Sequence, residues 1–325
     1  MLRLYLALLA SCLCLPCFAL DVSRPEVRAF IDEMTRQHGF ARNDVEGLLK
    51  QAETKQPILD AISKPAERVV QWHEYRDRFL TAPRIQQGAD FWTVHGERLE
   101  SIGDTRLATA VVGILGVETS FGRITGRYRV IDALATLAFD YPPRAEFFRS
   151  ELVQFFLLSR EESVDTNAAL GSYAGAMGAP QFISSSYRKY AIDADADGKR
   201  DLWNSWDDVI GSIANYLRGY GWQDDEPILA SAQLKDHDLS AFDVSKIALN
   251  ETVQSLREKG VSFETTLPLD APAMLIVAQG QKGPEYRVGF NNFYVITRYN
   301  RSTMYAMAVN DLGQAVQGFM RDAGK

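Results

Sequence analysis

Cysteine is nearly missing from this chain of 325 residues. The three that occur, Cys12, Cys14 and Cys17, all lie close to the N-terminus, so a chain processed beyond them has no thiol and no disulfide. Basic blocks are missing too: 35 Lys and Arg stand against 42 Asp and Glu, a net charge of −7. That balance excludes a nucleic-acid partner. Past the N-terminus no apolar run reaches the length of about 20 residues that a membrane helix needs. No internal repeat and no low-complexity segment is present, which excludes repeat arrays and long disordered tails. What remains is ordinary globular material, 46% hydrophobic and 24% charged, long enough to bury a sizeable core.

The N-terminus is of a different character. Met1 to Leu20 carries one basic residue, Arg3, then an apolar run from Leu4, and polar sequence resumes at Asp21. This is the pattern of a secretory signal peptide, with cleavage expected after Ala19 and a soluble periplasmic product. Leu9-Ala10-Ser11-Cys12 is the competing signal, a lipobox whose acylated Cys12 would anchor the protein to the outer membrane. Beyond the leader, residues 20–104 read as a helical lobe: Arg24-Pro25-Glu26 opens a helix, and Arg42–Glu53 and Arg84–Ser101 carry helical spacing. Residues 105–225 form the expected core. In it Asp132 reads as a helix N-cap and Asp140-Tyr141-Pro142-Pro143 as a break. Residues 226–325 form a third lobe, in which Leu267–Gln279 and Tyr286–Arg298 have strand composition and Ser302–Met320 helical spacing.

Gly116-Val117-Glu118-Thr119-Ser120-Phe121-Gly122 is the most informative stretch. It puts one glutamate at the end of an uncharged run, Leu107 to Val117, that is apolar nearly all round and therefore reads as a buried helix. A poorly hydrated carboxyl has a raised pKa, as a general acid near neutral pH requires. The structural alternative is a helix-terminal Glu satisfied by Arg123, Arg127 or backbone amides. Further on, Ala169 to Tyr190 read ALGSYAGAMGAPQFISSSYRKY. Its glycines admit a ligand close to the backbone, and its amide, hydroxyl and phenol groups are neutral hydrogen-bonding partners of the kind a sugar needs.

Five short motifs occur in one order: VETSFGR, VIDALATLAFDYP, SYAGAMGAPQF, ANYL and NNFYVITRYN…YAMAV. Together they resemble the lytic murein transglycosylase B family, from about residue 22 to the C-terminus. The resemblance implies an α+β, mainly α fold, with a lysozyme-like helical core, a helical N-terminal lobe and a small C-terminal β-containing lobe. It implies Glu118 as the catalytic residue, with Ser172, Gln181, Tyr216, Tyr299, Asn300 and Tyr305 lining the cleft. Peptidoglycan glycan strands are the implied partner. Any protein partners in cell-wall synthesis or division stay unidentified by the sequence.

The stretch DADADGKRDLWNSWDD, residues 193–208, is a second chemical motif. Asp193, Asp195 and Asp197 take positions one, three and five of an EF-hand loop, Gly198 position six, and the Lys199 carbonyl position seven. Position twelve is Asn204 rather than Glu. The family resembled has a longer loop closed by a later aspartate, either Asp207 or Asp208; the unbroken helix that follows favours Asp208. A structural calcium ion is expected, because adjacent aspartates repel one another without a cation. The alternative is an acidic solvated turn.

Glycosidases that use two carboxylates hold them about 5–5.5 Å apart when retaining and about 6.5–9.5 Å when inverting. No second carboxylate stands in a catalytic context here, since Asp132 reads as a cap, Asp140 as a turn and the acidic cluster as metal ligands. A lytic transglycosylase needs only one. The resemblance implies that Glu118 protonates the oxygen between N-acetylmuramic acid and N-acetylglucosamine, then accepts the proton of the muramyl C6 hydroxyl as it closes a 1,6-anhydro ring. A hydrolytic muramidase on the same core and a non-catalytic peptidoglycan-binding protein are the alternatives.

Overall fold

The computed structural model describes residues 18–63 and 70–323. The leader's cysteines and the lipobox lie outside the described residues. Helices α1 (Pro25–His38), α2 (Arg42–Gln51), α3 (Gln56–Ser63) and α4 (Trp72–Asp77) lead into the long α5 (Ala82–Ser101) and the apolar α6 (Thr105–Thr119). The chain continues through α7 (Val130–Asp140), α8 (Ala145–Glu162), α9 (Ser184–Tyr190) and α10 (Trp206–Gly219). A five-stranded antiparallel sheet follows. Its spatial order is Glu251–Thr252, Pro272–Gly280, Gly283–Gly289, Leu229–Leu234, Val261–Phe263, with α11 (Val253–Glu258) inserted. The chain ends in α12 (Asn291–Tyr299) and α13 (Thr303–Ala323). The expected α+β, mainly α class is correct, and no helix among the described residues is long and apolar enough to cross a membrane.

Two sequence expectations need correction. Asp132 is not an N-cap: Arg129 takes that position, and Asp132 is buried inside the first turn of α7. There its carboxylate accepts a bidentate pair from Arg129 and the Glu53 amide at 2.9 Å, which ties the N-terminal segment to the core. The segment 286–298 is also not one strand. The strand stops at Gly289, and α12 begins at Asn291. Its β-branched and aromatic residues suggested a strand, but Phe293, Val295 and Ile296 are buried together at helical spacing, so packing overrides propensity.

Most of the apolar interior is one cluster running from Leu20 to Val316. A smaller cluster fills the outer side of the sheet under α11. Strand Pro272–Gly280 divides between them: Met274, Ile276 and Ala278 face the main core, and Ala273 and Leu275 face the small one. That alternation is the two-residue period of a strand covered on both faces. Arg287 then ties the sheet to α13 through a bidentate pair with Asp311, at 2.7 and 2.9 Å.

Helix α6 starts at the Asp104 side chain, which accepts from the Leu107 amide at 2.7 Å. Gly113 and Gly116 interrupt it, although each glycine weakens a helix interior by roughly 0.5–1 kcal/mol relative to Ala. The reason is α13. A Cβ on Gly113 would overlap the Val309 carbonyl, one on Gly313 would overlap the Thr109 carbonyl, and one on Gly116 would strike the Leu312 side chain. The two helices thus pack backbone against backbone. Gly113→Ala is expected to lower stability by about 1–3 kcal/mol despite alanine's better helix propensity, because the helices must separate. Thermal unfolding checks this; an unchanged or raised melting temperature would mean that the close approach is not needed.

Candidate active site

Glu118 is the penultimate residue of α6, at the end where unpaired carbonyls make the local potential negative. Burial pushes its carboxyl up to about 7, and a hydrogen bond from Tyr305 works against that rise. The Tyr305 hydroxyl donates to Oε1 at 2.7 Å. Tyr305 is itself buried, and its phenol is held well above its usual range by burial and by the facing Glu118, so it stays a donor. Glu118 makes no ion pair among the described residues; the alternative with Arg123 or Arg127 is not what the fold adopts. No other carboxylate contributes to its shift. Asp140 pairs with Arg24 at 2.7 Å, and Asp132 with Arg129.

The chain leaves α6 through three residues with positive φ: Ser120 at 53°, Phe121 at 58° and Gly122 at 76°. Left-handed backbone at a non-glycine position costs roughly 1–2 kcal/mol per residue, so something must hold it. The Thr119 hydroxyl accepts from the Gly122 amide at 3.0 Å and donates to the Ala179 carbonyl at 2.9 Å. Ser120 donates to Gln87 at 2.9 Å, and Phe121 stacks on Phe91 at 5.5 Å. Arg84 donates to the Gly116 carbonyl at 2.6 Å, satisfying one of the helix-end acceptors.

The glycine-rich tract is fastened to this loop from the other side. Gln181, with φ of 54°, donates through its side-chain amide to the Thr125 and Gly178 carbonyls at 3.0 Å. Gly126 admits no Cβ because the Gly171 carbonyl and Ser172 amide lie against it. Ser172 accepts from the Ala174 and Ala176 amides at 3.2 and 3.0 Å, which shapes the turn. Tyr299 donates to the Pro180 carbonyl at 2.6 Å and lies parallel to Tyr305, with centroids 6.5 Å apart. Tyr216 packs on Tyr299 at 4.8 Å and donates to the Arg298 carbonyl at 2.7 Å.

Of the residues expected around the acid, Ser172, Gln181, Tyr299 and Tyr305 are joined by contacts to Glu118, its loop or the tract against it, and Tyr216 reaches them through Tyr299. Asn300 is not: it is exposed at the end of α12, where its carbonyl accepts from the Ser302 amide. Tyr75, on α4, was undervalued by the sequence. It packs on Phe79, and its phenol is raised by burial and then by the charge of Glu118. Its signal was only an aromatic in the tract WHEYRDRF. Arg84 had no signal, and Thr119 stood inside the VETSFGR motif without a role of its own.

In the acidic loop, Asp193, Asp195 and Asp197 offer oxygens within 4.8 Å of one another, all exposed. Asp208, the expected closing ligand, differs from these three in burial and in hydrogen bonding. Its side chain is fully buried, and its two oxygens accept the Ala194 amide at 2.6 Å and the Asp201 amide at 2.7 Å, bracing both limbs of the loop. Burial pushes its carboxyl up while those amides pull it down. Asp207 lies outward, 3.9 Å from Arg98. Lys199 is exposed, its amide donating to Asp197 at 2.9 Å.

The Transglycosylase SLT domain family matches residues 23–314. The membrane-bound lytic murein transglycosylase B of Escherichia coli K12 is 37% identical over 305 residues, covering 90% of this chain and 83% of that one. Among solved structures, the catenated lytic transglycosylase SltB1 of Pseudomonas aeruginosa is 47% identical with a TM-score of 0.87, covering 91% of this chain and 98% of that one. The Escherichia coli lytic transglycosylase Slt35 in complex with calcium is 37% identical with a TM-score of 0.80, covering 91% and 94%. A chain matched from residue 23 to residue 314, with relatives of 37% and 47% identity that cover about nine-tenths of it, belongs to the lytic transglycosylases of the SLT domain family.

Proposed function

We propose that Glu118 alone performs the acid and base steps by which this enzyme cleaves peptidoglycan through transglycosylation. The observation that carries the reading is its buried carboxyl, raised to about 7, with Tyr305 donating to Oε1 and no second carboxylate acting on it. With Oε1 occupied as an acceptor, the acidic proton resides on Oε2. Glu118 gives that proton to the oxygen linking N-acetylmuramic acid to N-acetylglucosamine, and the C1–O bond breaks. The resulting carboxylate takes the proton of the muramyl C6 hydroxyl as its oxygen bonds to C1, which closes the 1,6-anhydro ring and restores the acid. The muramyl N-acetyl group shares the positive charge developing at C1. Ser172, Gln181, Tyr75, Tyr216 and Tyr299 line the cleft, with residues 105–225 as its floor and residues 20–104 and 226–325 as its walls, and Asn300 stands at its rim.

A calcium ion is proposed at the acidic loop, held by Asp193, Asp195, Asp197 and the Lys199 carbonyl. The donor set fits, being all oxygen, with the three carboxylates gathered within 4.8 Å. When bound, the ion supplies charge neutralisation and no chemistry. Asp208 contributes through the loop amides. The Met1–Leu20 leader and a peptidoglycan substrate support action in the cell envelope: in the periplasm after cleavage at Ala19, or at the outer membrane if Cys12 is acylated.

Glu118→Gln keeps the shape and removes the proton, so turnover of peptidoglycan should fall by orders of magnitude while glycan binding survives. Its stability should move the other way. Glu118 is protonated more readily in the folded than in the unfolded chain, so the wild type loses stability as pH rises from about 4.5 to about 7. Gln does not ionise, and the variant should therefore melt a few degrees higher than the wild type at pH 8 and much closer to it at pH 4. Retention of more than about a tenth of the activity would defeat the assignment.

Product analysis separates transglycosylation from hydrolysis. With no second carboxylate to activate water, mass spectrometry of digested peptidoglycan should find 1,6-anhydromuropeptides. A pool dominated by borohydride-reducible ends would favour the muramidase.

Calcium should raise the melting temperature of chelator-treated protein, because the folded loop binds it and the unfolded chain does not. The shift should vanish in Asp193→Ala/Asp197→Ala. No shift at millimolar calcium, or an equal one in the double variant, would leave the loop as an acidic turn.

A further inference from the structure

Thr125, whose carbonyl takes the Gln181 amide, also lines a cavity of about 510 Å³. Cleft and cavity thus share a wall. Trp203 and Leu170 both line the cavity, and the indole N–H donates to the Leu170 carbonyl at 3.0 Å. That tether, with Tyr187 packed on the ring at 5.6 Å, fixes the indole plane. Leu170 leaves 45% of its surface exposed, an unusual amount for a leucine on a backbone-paired strand.

The charges around the cavity are mostly spent. Arg200 pairs with Glu162 and Glu161. The Asp201 carboxylate accepts the Trp203 and Asn204 amides and the Asn204 side chain, at 2.9–3.0 Å. Asp165 takes the Asn167 amide at 2.9 Å. Lys199 is the cation left without an ion pair among the described residues. Two cations against three carboxylates make the lining net negative, which disfavours an acidic peptide. An indole and a leucine flanked by neutral hydrogen-bonding groups suit a pyranose, with its apolar faces and polar rim.

We propose that this cavity is a second carbohydrate subsite, which takes an N-acetylhexosamine ring further along the strand being cut, with Trp203 as its platform. The inference rests on the reading of the Glu118 cleft as the glycan site. Its wall includes Lys199 to Asp201, which the buried Asp208 holds, so the acidic loop shapes the subsite.

The test is calorimetric titration of peptide-free N-acetylglucosamine oligomers, a dimer and a hexamer, into Glu118→Gln protein. Adding Trp203→Ala should weaken the hexamer roughly tenfold and leave the dimer nearly unchanged. Trp203→Phe, which keeps an aromatic face, should recover most of the loss. Leu170→Glu, at an exposed position that leaves the fold intact, should weaken the hexamer as well. Hexamer binding at full strength in both Trp203→Ala and Leu170→Glu would overturn the proposal. So would a loss seen only with peptide-bearing strands, which would assign the cavity to the stem peptide, or an equal loss for dimer and hexamer. Failure of the Glu118 reading would appear elsewhere, as activity retained by Glu118→Gln.

Discussion

The contact of α6 with α13 through Gly113, Gly116 and Gly313 is the constraint on which the rest depends. Side chains ordinarily keep packed helices about 8–10 Å apart. Where glycines face carbonyls that spacing closes, and residues near the ends of the two helices come into hydrogen-bond range. Tyr305 meets Glu118 for this reason, although 187 positions separate them in the chain. Arg287 and Asp311 then pin the sheet to the same helix, so the small lobe inherits its position from the helix pair.

The site is built against local preference. A carboxyl is placed at the negative end of a helix, out of water, and the chain leaves that helix through consecutive left-handed residues. Each choice weakens the fold on its own. Hydrogen bonds from Thr119, Ser120, Gln181 and Arg84 offset the cost, and all of them reach to or from the backbone or side chains of this one neighbourhood. Strain gathered at one place and braced on several sides is characteristic of a functional site rather than of a defect.

The sequence was informative where the physics is local. The uncharged run before Glu118 marked a buried helix, and the Asp-rich loop announced itself by spacing. The glycines of the 169–190 tract turned out to meet backbone, as at Gly126 with Gly171 and Gly178 with Leu202. What stayed hidden depends on distant partners. Asp132 has the look of a cap, because nothing nearby in sequence reveals that Arg129 and the Glu53 amide will claim its oxygens. Nor does anything near Asp208 in sequence reveal that its oxygens will brace both limbs of its loop. Residues 291–299 have strand composition, and only the core beneath Phe293 and Ile296 makes them a helix. Arg84 carries no pattern at all; its role exists only once the Gly116 carbonyl lies beside it.

The partner that Glu118 needs is on α13, far along the chain from the helix that carries the glutamate. Until α13 docks, the glutamate has neither Tyr305 nor the apolar cover that keeps its proton, and it is an ordinary ionised carboxylate. Competence as an acid therefore belongs to the docked pair of helices: a chain in which α13 is not packed on α6 carries Glu118 as a carboxylate, without the proton a general acid must give.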